Sequence, residues 1–485
     1  MRVLLVSANR EKLPSPVVPL GVLSVAGALR EAHEVRVVDL CFESDPTGAL
    51  ARAAAAFEPD VVGIGLRNLH TNAYDGTEAL LDEYGALVRA LRGATRAPLV
   101  LGGSGFSLRP EGLLERFGAE HGVVGEGERS MRALVDALAR GERPARLLRA
   151  TPVAPASFAA PGSSAAPSSL AAPGSSAAPI SLAVPSGRQA GAPLAQLTTL
   201  GRRAAARGDD LDSLPPPARD LVDVRYYELE GTDNVQTKRG CAFECAYCDY
   251  PDLEGRKVRT RDPEAVADEV LARSKVPGVN HIFFVDSVFN VPRSHALAIC
   301  AALERRGSPL PWVCYGSPAA FDGELVAAMV RAGCQGVEIG SDAGSEAALA
   351  RLRKPFGLEQ IRRTRALFVE HGLLDCHTFV LGAFDESPAE VDETLAFIDE
   401  LDPDVATFVV FMEDRESMSP HRALHREAIL RRLAELSPRR SGWVVPELGI
   451  RFNEGLNASL RRAGRRGPSW LHLARARRAS SRRRV

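Results

Sequence analysis

Three cysteines crowd into eight residues of this chain, in the run Lys238-Arg239-Gly240-Cys241-Ala242-Phe243-Glu244-Cys245-Ala246-Tyr247-Cys248. Thiolates at spacings of four and three can converge from one loop on a single iron-sulfur cluster. A structural zinc site needs a fourth Cys or His, and none follows closely. The remote Cys376 and His377 are the residues that keep a zinc reading open. A 4Fe-4S cubane held by three thiolates leaves one iron free for an exogenous chelating ligand. Eight cysteines among 485 residues are too few for a disulfide framework. A metal site in a reducing, cytoplasmic setting is therefore the expectation.

Such a loop has to be carried by a rigid scaffold, and the hydrophobic pattern supplies two. From Met1 to Arg149, short β-rich runs (Arg2 to Ser7, Glu34 to Leu40, Asp60 to Leu66, Pro98 to Gly102, His121 to Gly125) alternate with helical patterns. Five parallel strands with crossover helices on both faces give a doubly wound, flavodoxin-like α/β domain. Its ligand is expected beyond the carboxyl ends of the strands, at Ser7-Ala8-Asn9, Leu66-Arg67-Asn68 and Gly102-Gly103-Ser104-Gly105. Residues 150–210 are a low-complexity Ala/Pro/Ser linker, in which Ser157 to Pro167 recurs nearly unchanged at Ser169 to Pro179. Leu211 to Leu221 then reads as an extended segment re-entering folded protein.

A second alternation fills 211–412, with strands at Asn234 to Lys238, His281 to Val285, Pro311 to Tyr315, Gln335 to Gly340, Cys376 to Leu381 and Val405 to Phe411. Six βα units make a partial barrel, and the cysteines lie just after its first strand, at the end where barrels do chemistry. Residues 413–485 form a smaller helical and irregular region anchored by Trp443, Phe452 and Trp470. Ten arginines between Arg461 and Val485 read as a solvated basic tail. A hydrophobic share of 45%, a charged share of 25% and a formal charge of −1 exclude bulk attraction to nucleic acid or membranes. No run reaches the length of a membrane span.

The segment Cys241 to Cys248, with Tyr247 before the last cysteine, resembles the CxxxCxxC signature of the radical S-adenosylmethionine (SAM) superfamily. Val337 to Ser345 resembles the fourth-strand segment of those barrels, and Phe379 to Glu386 the fifth. The resemblance implies a 4Fe-4S cluster on Cys241, Cys245 and Cys248, with SAM chelating the open iron. It also implies SAM contacts from Tyr247, Glu338, Ser341 and Gly382. Asp286, and behind it Asn290, stand where the superfamily receives the SAM amino group, although the usual Gly-Gly-Glu is missing.

Residues 1–140 resemble the cobalamin-binding domain that precedes the barrel in one radical SAM subclass, which implies corrinoid contacts from Gly102, Gly103, Ser104, Gly105 and Gly125. Asn9-Arg10-Glu11-Lys12 replaces the Asp-x-His-x-x-Gly of cobalamin mutases, so no histidine is expected beneath cobalt from that loop; His70 is the other histidine placed to face the corrin. The implied activity is methyl transfer to an unactivated carbon or phosphinate-like centre of a small biosynthetic substrate, with flavodoxin or ferredoxin as electron donor. Cyclisation or rearrangement on the same architecture, or a non-catalytic corrinoid sensor or carrier, stand as alternatives. A methylthiotransferase needs N-terminal cluster cysteines, and the first domain has only Cys41.

Overall fold

The computed structural model describes residues 1–69, 77–149, 210–223, 231–411 and 419–482. His70 and the linker repeat lie outside the described residues.

The N-terminal domain runs β1 (Arg2–Ser7), α1 (Leu20–Leu29), β2 (Glu34–Asp39), α2 (Pro46–Phe57), β3 (Val61–Gly65), α3 (Thr77–Ala94), β4 (Leu99–Gly102), α4 (Ser104–Leu108), α5 (Pro110–Phe117), β5 (His121–Val124), α6 (Gly127–Ala139) and β6 (Leu147–Arg149). Its strands pair in the order β2-β1-β3-β4-β5-β6, each pair parallel. The five expected strands are present, and β6, too short to show a period of its own, is added to the edge. Continuous apolar runs such as Val3-Leu4-Leu5-Val6 are buried on both faces, as a parallel sheet between helix layers requires. The order reverses between β1 and β3, which fixes the ligand crevice there.

The second domain runs β7 (Thr232–Val235), β8 (Lys238–Arg239), α7 (Tyr250–Glu254), β9 (Arg259–Thr260), α8 (Pro263–Arg273), β10 (His281–Phe284), α9 (Arg293–Arg305), β11 (Trp312–Gly316), α10 (Gly323–Arg331), β12 (Cys334–Asp342), α11 (Glu346–Arg351), α12 (Leu358–Glu370), β13 (Leu374–Leu381), α13 (Pro388–Leu401) and β14 (Val405–Val410). The C-terminal region adds α14 (Pro420–Leu436), β15 (Trp443–Val444), α15 (Glu454–Arg462) and α16 (Ser469–Arg482). Seven parallel strands form one open sheet in the order β15-β14-β13-β12-β11-β10-β7, while β8 and β9 make a separate antiparallel hairpin. The sheet has one strand more than expected, because β15 comes from the C-terminal region.

Strand alternation separates the two faces of this sheet. Cys314, Val337, Ile339, Phe379 and Phe408 are fully buried against the helices. Their neighbours Tyr315, Glu338, Gly340, Thr378 and Thr407 point to the opposite face and keep accessible surface. Helix α16 packs against the sheet. Its Trp470, Leu471 and Ala474 pack on Val313, Leu374, Cys376 and Val405.

The basic tail is thus corrected as far as it is described. Arg477 pairs with Asp402, and Arg478 with the buried Asp404, so these arginines are staples of the barrel floor. No described helix is long and apolar enough to cross a membrane.

The segment after the linker packs against the first domain. Ala218 N donates to Leu23 O at 2.9 Å. A Cβ on Gly27 would sit 2.4 Å from Pro216 O, so only glycine allows this approach to α1. Arg219 continues into the barrel, donating to Asn234 O at 2.6 Å and to Glu269 at 2.8 Å.

Candidate active site

The loop from Gly240 to Asp249 joins β8 to α7 and carries Cys241, Cys245 and Cys248 as free, half-buried thiols. Backbone contacts fix it at both ends. Cys241 N donates to Gly255 O at 2.8 Å, and Ala246 N to Leu352 O at 3.0 Å. Gly240 has φ +95 and lies against Lys257 O, 2.3 Å from where a Cβ would be, so the turn into the loop demands glycine.

Burial pushes the Cys248 thiol up to about 11 and raises Cys245, which the Lys354 ammonium 3.5 Å from its sulfur partly counteracts. Three thiols on one rigid loop with a cation beside them are a donor set suited to an anionic iron-sulfur cluster. The zinc reading's remote residues are engaged elsewhere: Cys376 meets Thr407 at 3.4 Å and His377 meets Ser341 at 2.7 Å. Among the described residues no three His, Cys, Asp or Glu side chains are grouped to hold one metal ion.

The expected SAM contacts separate into two groups. Tyr247 stays at the loop, its hydroxyl donating to Asp342 at 2.6 Å. Gly382 follows β13 with φ +77, its N–H donating to Glu386, whose carboxyl burial raises to about 7. Glu338 lies deeper, beside Tyr315 in the β11–β12 register, and its Oε1 accepts from Trp470 Nε1 at 2.8 Å. Burial raises its carboxyl to about 7 despite that bond.

Three of the expected SAM contacts have side chains engaged within the protein. Ser341 is fully buried with its hydroxyl on His377. Asp286 is fully buried and its oxygens accept from Thr237 N (2.7 Å), Thr237 Oγ1 (2.6 Å) and Lys238 Nζ (3.2 Å). It braces the strand entering the cysteine loop. Asn290 is equally consumed by the Ser317 backbone.

Among the barrel-strand carboxylates, the one that meets the cysteine loop is Asp342, which pairs with Lys354 as well as Tyr247. Sequence reasoning passed over both. The signal for Asp342 was a carboxylate at the carboxyl end of the strand already singled out.

Between the two domains lies a cleft of about 730 Å³. From the first domain it is lined by the strand-end glycines Gly65, Gly102, Gly103, Gly105 and Gly125, with Arg67 beside them. From the barrel it is lined by Gln236, Arg239, Tyr250, Glu254 and Val285. The expected corrinoid contacts Gly102, Gly103, Ser104, Gly105 and Gly125 are therefore brought together.

Their glycines serve different ends. A Cβ on Gly102 would have ordinary contact, 3.6 Å from Val123 O, so glycine there leaves room for a ligand. A Cβ on Gly103, at φ +94, would lie 2.6 Å from Leu66 O, so that glycine serves the turn itself. Ser104 is turned back, its hydroxyl donating to Arg67 O at 2.7 Å. Glycine at Gly102 and the glycine-lined strand ends fit a large, close-approaching cofactor.

This pairing of a crevice domain with a three-cysteine barrel has counterparts among known proteins. The B12 binding domain model matches residues 6–135, and the radical SAM superfamily model residues 235–398. The chain belongs to the radical SAM enzymes that carry a B12-binding domain. It is an enzyme of that family, and its cofactors are a 4Fe-4S cluster, SAM and cobalamin.

An uncharacterized methyltransferase of Pyrococcus horikoshii is 26% identical over 418 residues, 84% of this chain and 80% of that protein. Tryptophan 2-C-methyltransferase of Streptomyces laurentii is 33% identical over 364 residues, 69% of this chain and 59% of that enzyme. The structure of the radical SAM methyltransferase TsrM from Kitasatospora setae, with cobalamin and cluster bound, superposes with a TM-score of 0.73 at 23% identity, covering 99% of both chains. That likeness establishes the shared fold.

Proposed function

We propose that this enzyme is a cobalamin-dependent methyltransferase acting on a small molecule held in the barrel lumen. The observation that carries the reading is a cleft that has the glycine-lined strand ends of the first domain on one wall and α7, next to the cysteine loop, on the other. Relatives named as methyltransferases support the same reaction class. When bound, the cluster and SAM supply one-electron chemistry and a methyl group, and the corrinoid supplies a methyl carrier.

The chain's own residues bind, orient and exclude water. Cys241, Cys245 and Cys248 would hold three irons, and Lys354 would offset the negative charge gathered at Cys245. Asp342, aligned by Tyr247 and Lys354, would receive hydroxyl or ammonium donors of SAM, with Gly382 at the next strand end in a backbone conformation that favours glycine. The glycines from Gly102 to Gly105 and Gly125 would admit the corrinoid's nucleotide tail.

Deeper in the lumen, Glu338 and Tyr315 form a polar floor on Trp470, beside Phe283, whose ring centre is 4.9 Å from that of Tyr315. That floor suits a substrate with an aromatic or apolar body and a hydrogen-bond donor. Tryptophan, the substrate of the TsrM relative, has both and is the first compound to try. An external one-electron donor of the flavodoxin or ferredoxin kind completes the cycle.

The test is anaerobic reconstitution followed by product analysis with SAM, with and without methylcobalamin. A methylated product only when the corrinoid is present supports the reading. A rearranged or cyclised product with no added methyl favours the other radical reactions.

A further inference from the structure

Three charges, Glu126, Glu128 and Arg239, line the cleft beside the cysteine loop, and a fourth, Arg259, backs them. Glu126 and Glu128 follow Gly125 at the end of β5. Arg239 ends β8, two residues before Cys241, and Arg259 opens β9. Arg239 donates to Glu128 at 2.6 Å and lies 3.5 Å from Glu126. Arg259 holds Glu126 through both nitrogens of its fork. The side chains of all four are at most 14% exposed.

The network continues without a break into the loop. Arg239 Nε donates to Gln236 at 2.9 Å, Gln236 to Glu254 at 3.0 Å, and Gly240 N to the other oxygen of Glu254 at 3.1 Å. Arg259 also donates to Glu254 O at 3.1 Å. Gly125 at the far end is anchored by its N–H to Ser107 Oγ at 2.9 Å, in the helix that follows the glycine turn.

Buried charge of this kind does little for net stability, since desolvation offsets most of the attraction, but it fixes geometry. Burial works against the Arg239 charge, and Glu128 and Glu126 more than restore it. Removing either partner leaves an uncompensated charge, so the two domains have one favoured register along this seam.

We infer that Glu126, Glu128, Arg239 and Arg259 are positioning residues that hold the loop that would carry the iron-sulfur cluster at a set distance from the cleft that would hold the corrinoid. This inference rests on reading the cleft as the corrinoid site. It predicts that corrinoid binding and the placement of the cluster are energetically coupled through these pairs, by a factor of about ten or more.

The test uses the reconstituted full chain and Arg239→Met, which keeps the stem and removes the charge, with Arg239→Lys as the conservative control. Iron and sulfide content, hydroxocobalamin affinity by absorbance titration, and the magnetic coupling between cob(II)alamin and the reduced cluster are read on each. Arg239→Met should keep its iron, bind corrinoid at least about ten-fold more weakly and lose or broaden the coupling, with Arg239→Lys in between.

Should Arg239→Met fail to hold a cluster, the double variant Glu126→Gln/Glu128→Gln cuts the same pairs from the other domain. Affinity within two-fold of wild type and an unchanged coupling, in whichever variant keeps its cluster, would overturn the inference. Wild-type protein that takes up no corrinoid would instead remove the reading beneath it.

Discussion

Glu338 offers a test of the lumen that needs no substrate. Its carboxyl rises from the ordinary 4.5 to about 7 because burial disfavours the charge more than the Trp470 N–H supports it. The groups facing it are the Tyr315 phenol, the Cys376 thiol and the Trp470 indole. A rise from 4.5 to about 7 corresponds to roughly 3 kcal/mol.

The folded chain therefore holds this proton more tightly than the unfolded one. Stability from this group is intact below about pH 4.5, is lost as pH rises towards 7, and stays lost above. Glu338→Gln keeps the shape and an acceptor for Trp470 but removes the charge, at the smaller cost of a buried amide. The variant should exceed wild type by about 2 kcal/mol at pH 8, or roughly 5 °C in Tm for a domain of this size, with the gain gone near pH 5. Thermal unfolding followed by circular dichroism at both pH values measures it. A variant no more stable than wild type at pH 8, or a gain independent of pH, would refute the argument that this carboxyl is desolvated in the lumen.

Further outcomes follow from the same geometry. Cys245→Ala should abolish the cluster, read as loss of about four iron and four sulfide per chain from anaerobically reconstituted protein. Gly102→Val should fold, keep the cluster and bind hydroxocobalamin at least about ten-fold more weakly in absorbance titration, because its side chain enters the cleft. Gly103→Val should instead lower Tm, since φ +94 and the Leu66 carbonyl oppose any side chain there. Deleting Ser169 to Pro179 from the linker should leave turnover within about three-fold of wild type, because closure entropy changes slowly with loop length.

What was legible in the sequence was local. The three cysteines announce themselves because one loop carries all of them. The strand-end glycines are legible because a crevice fold places its ligand at a fixed topological position. The carboxylates were harder: Glu338, Asp342 and Asp286 all sit on or just past barrel strands, and only the register shift between Gly340 and Asp342 and the partners Tyr247, Trp470 and Thr237 decide which faces the loop, the floor or the interior. The arginine-rich end read as solvated because its partners Asp402 and Asp404 lie more than seventy residues away. The clamp at Arg239 was invisible for the same reason, as its acids belong to the other domain.

The most direct measurement loads the reconstituted protein with reduced cobalamin, adds SAM carrying a deuterated methyl group, and follows the label by mass spectrometry onto the corrinoid and then onto a small-molecule acceptor, beginning with tryptophan. Wild type should carry labelled methyl on cobalt, and the Gly102→Val protein should take up less label at a corrinoid concentration near the wild-type Kd. Stoichiometric zinc in place of iron and sulfide, or a corrinoid that stays unlabelled while bound beside an intact cluster, would contradict it.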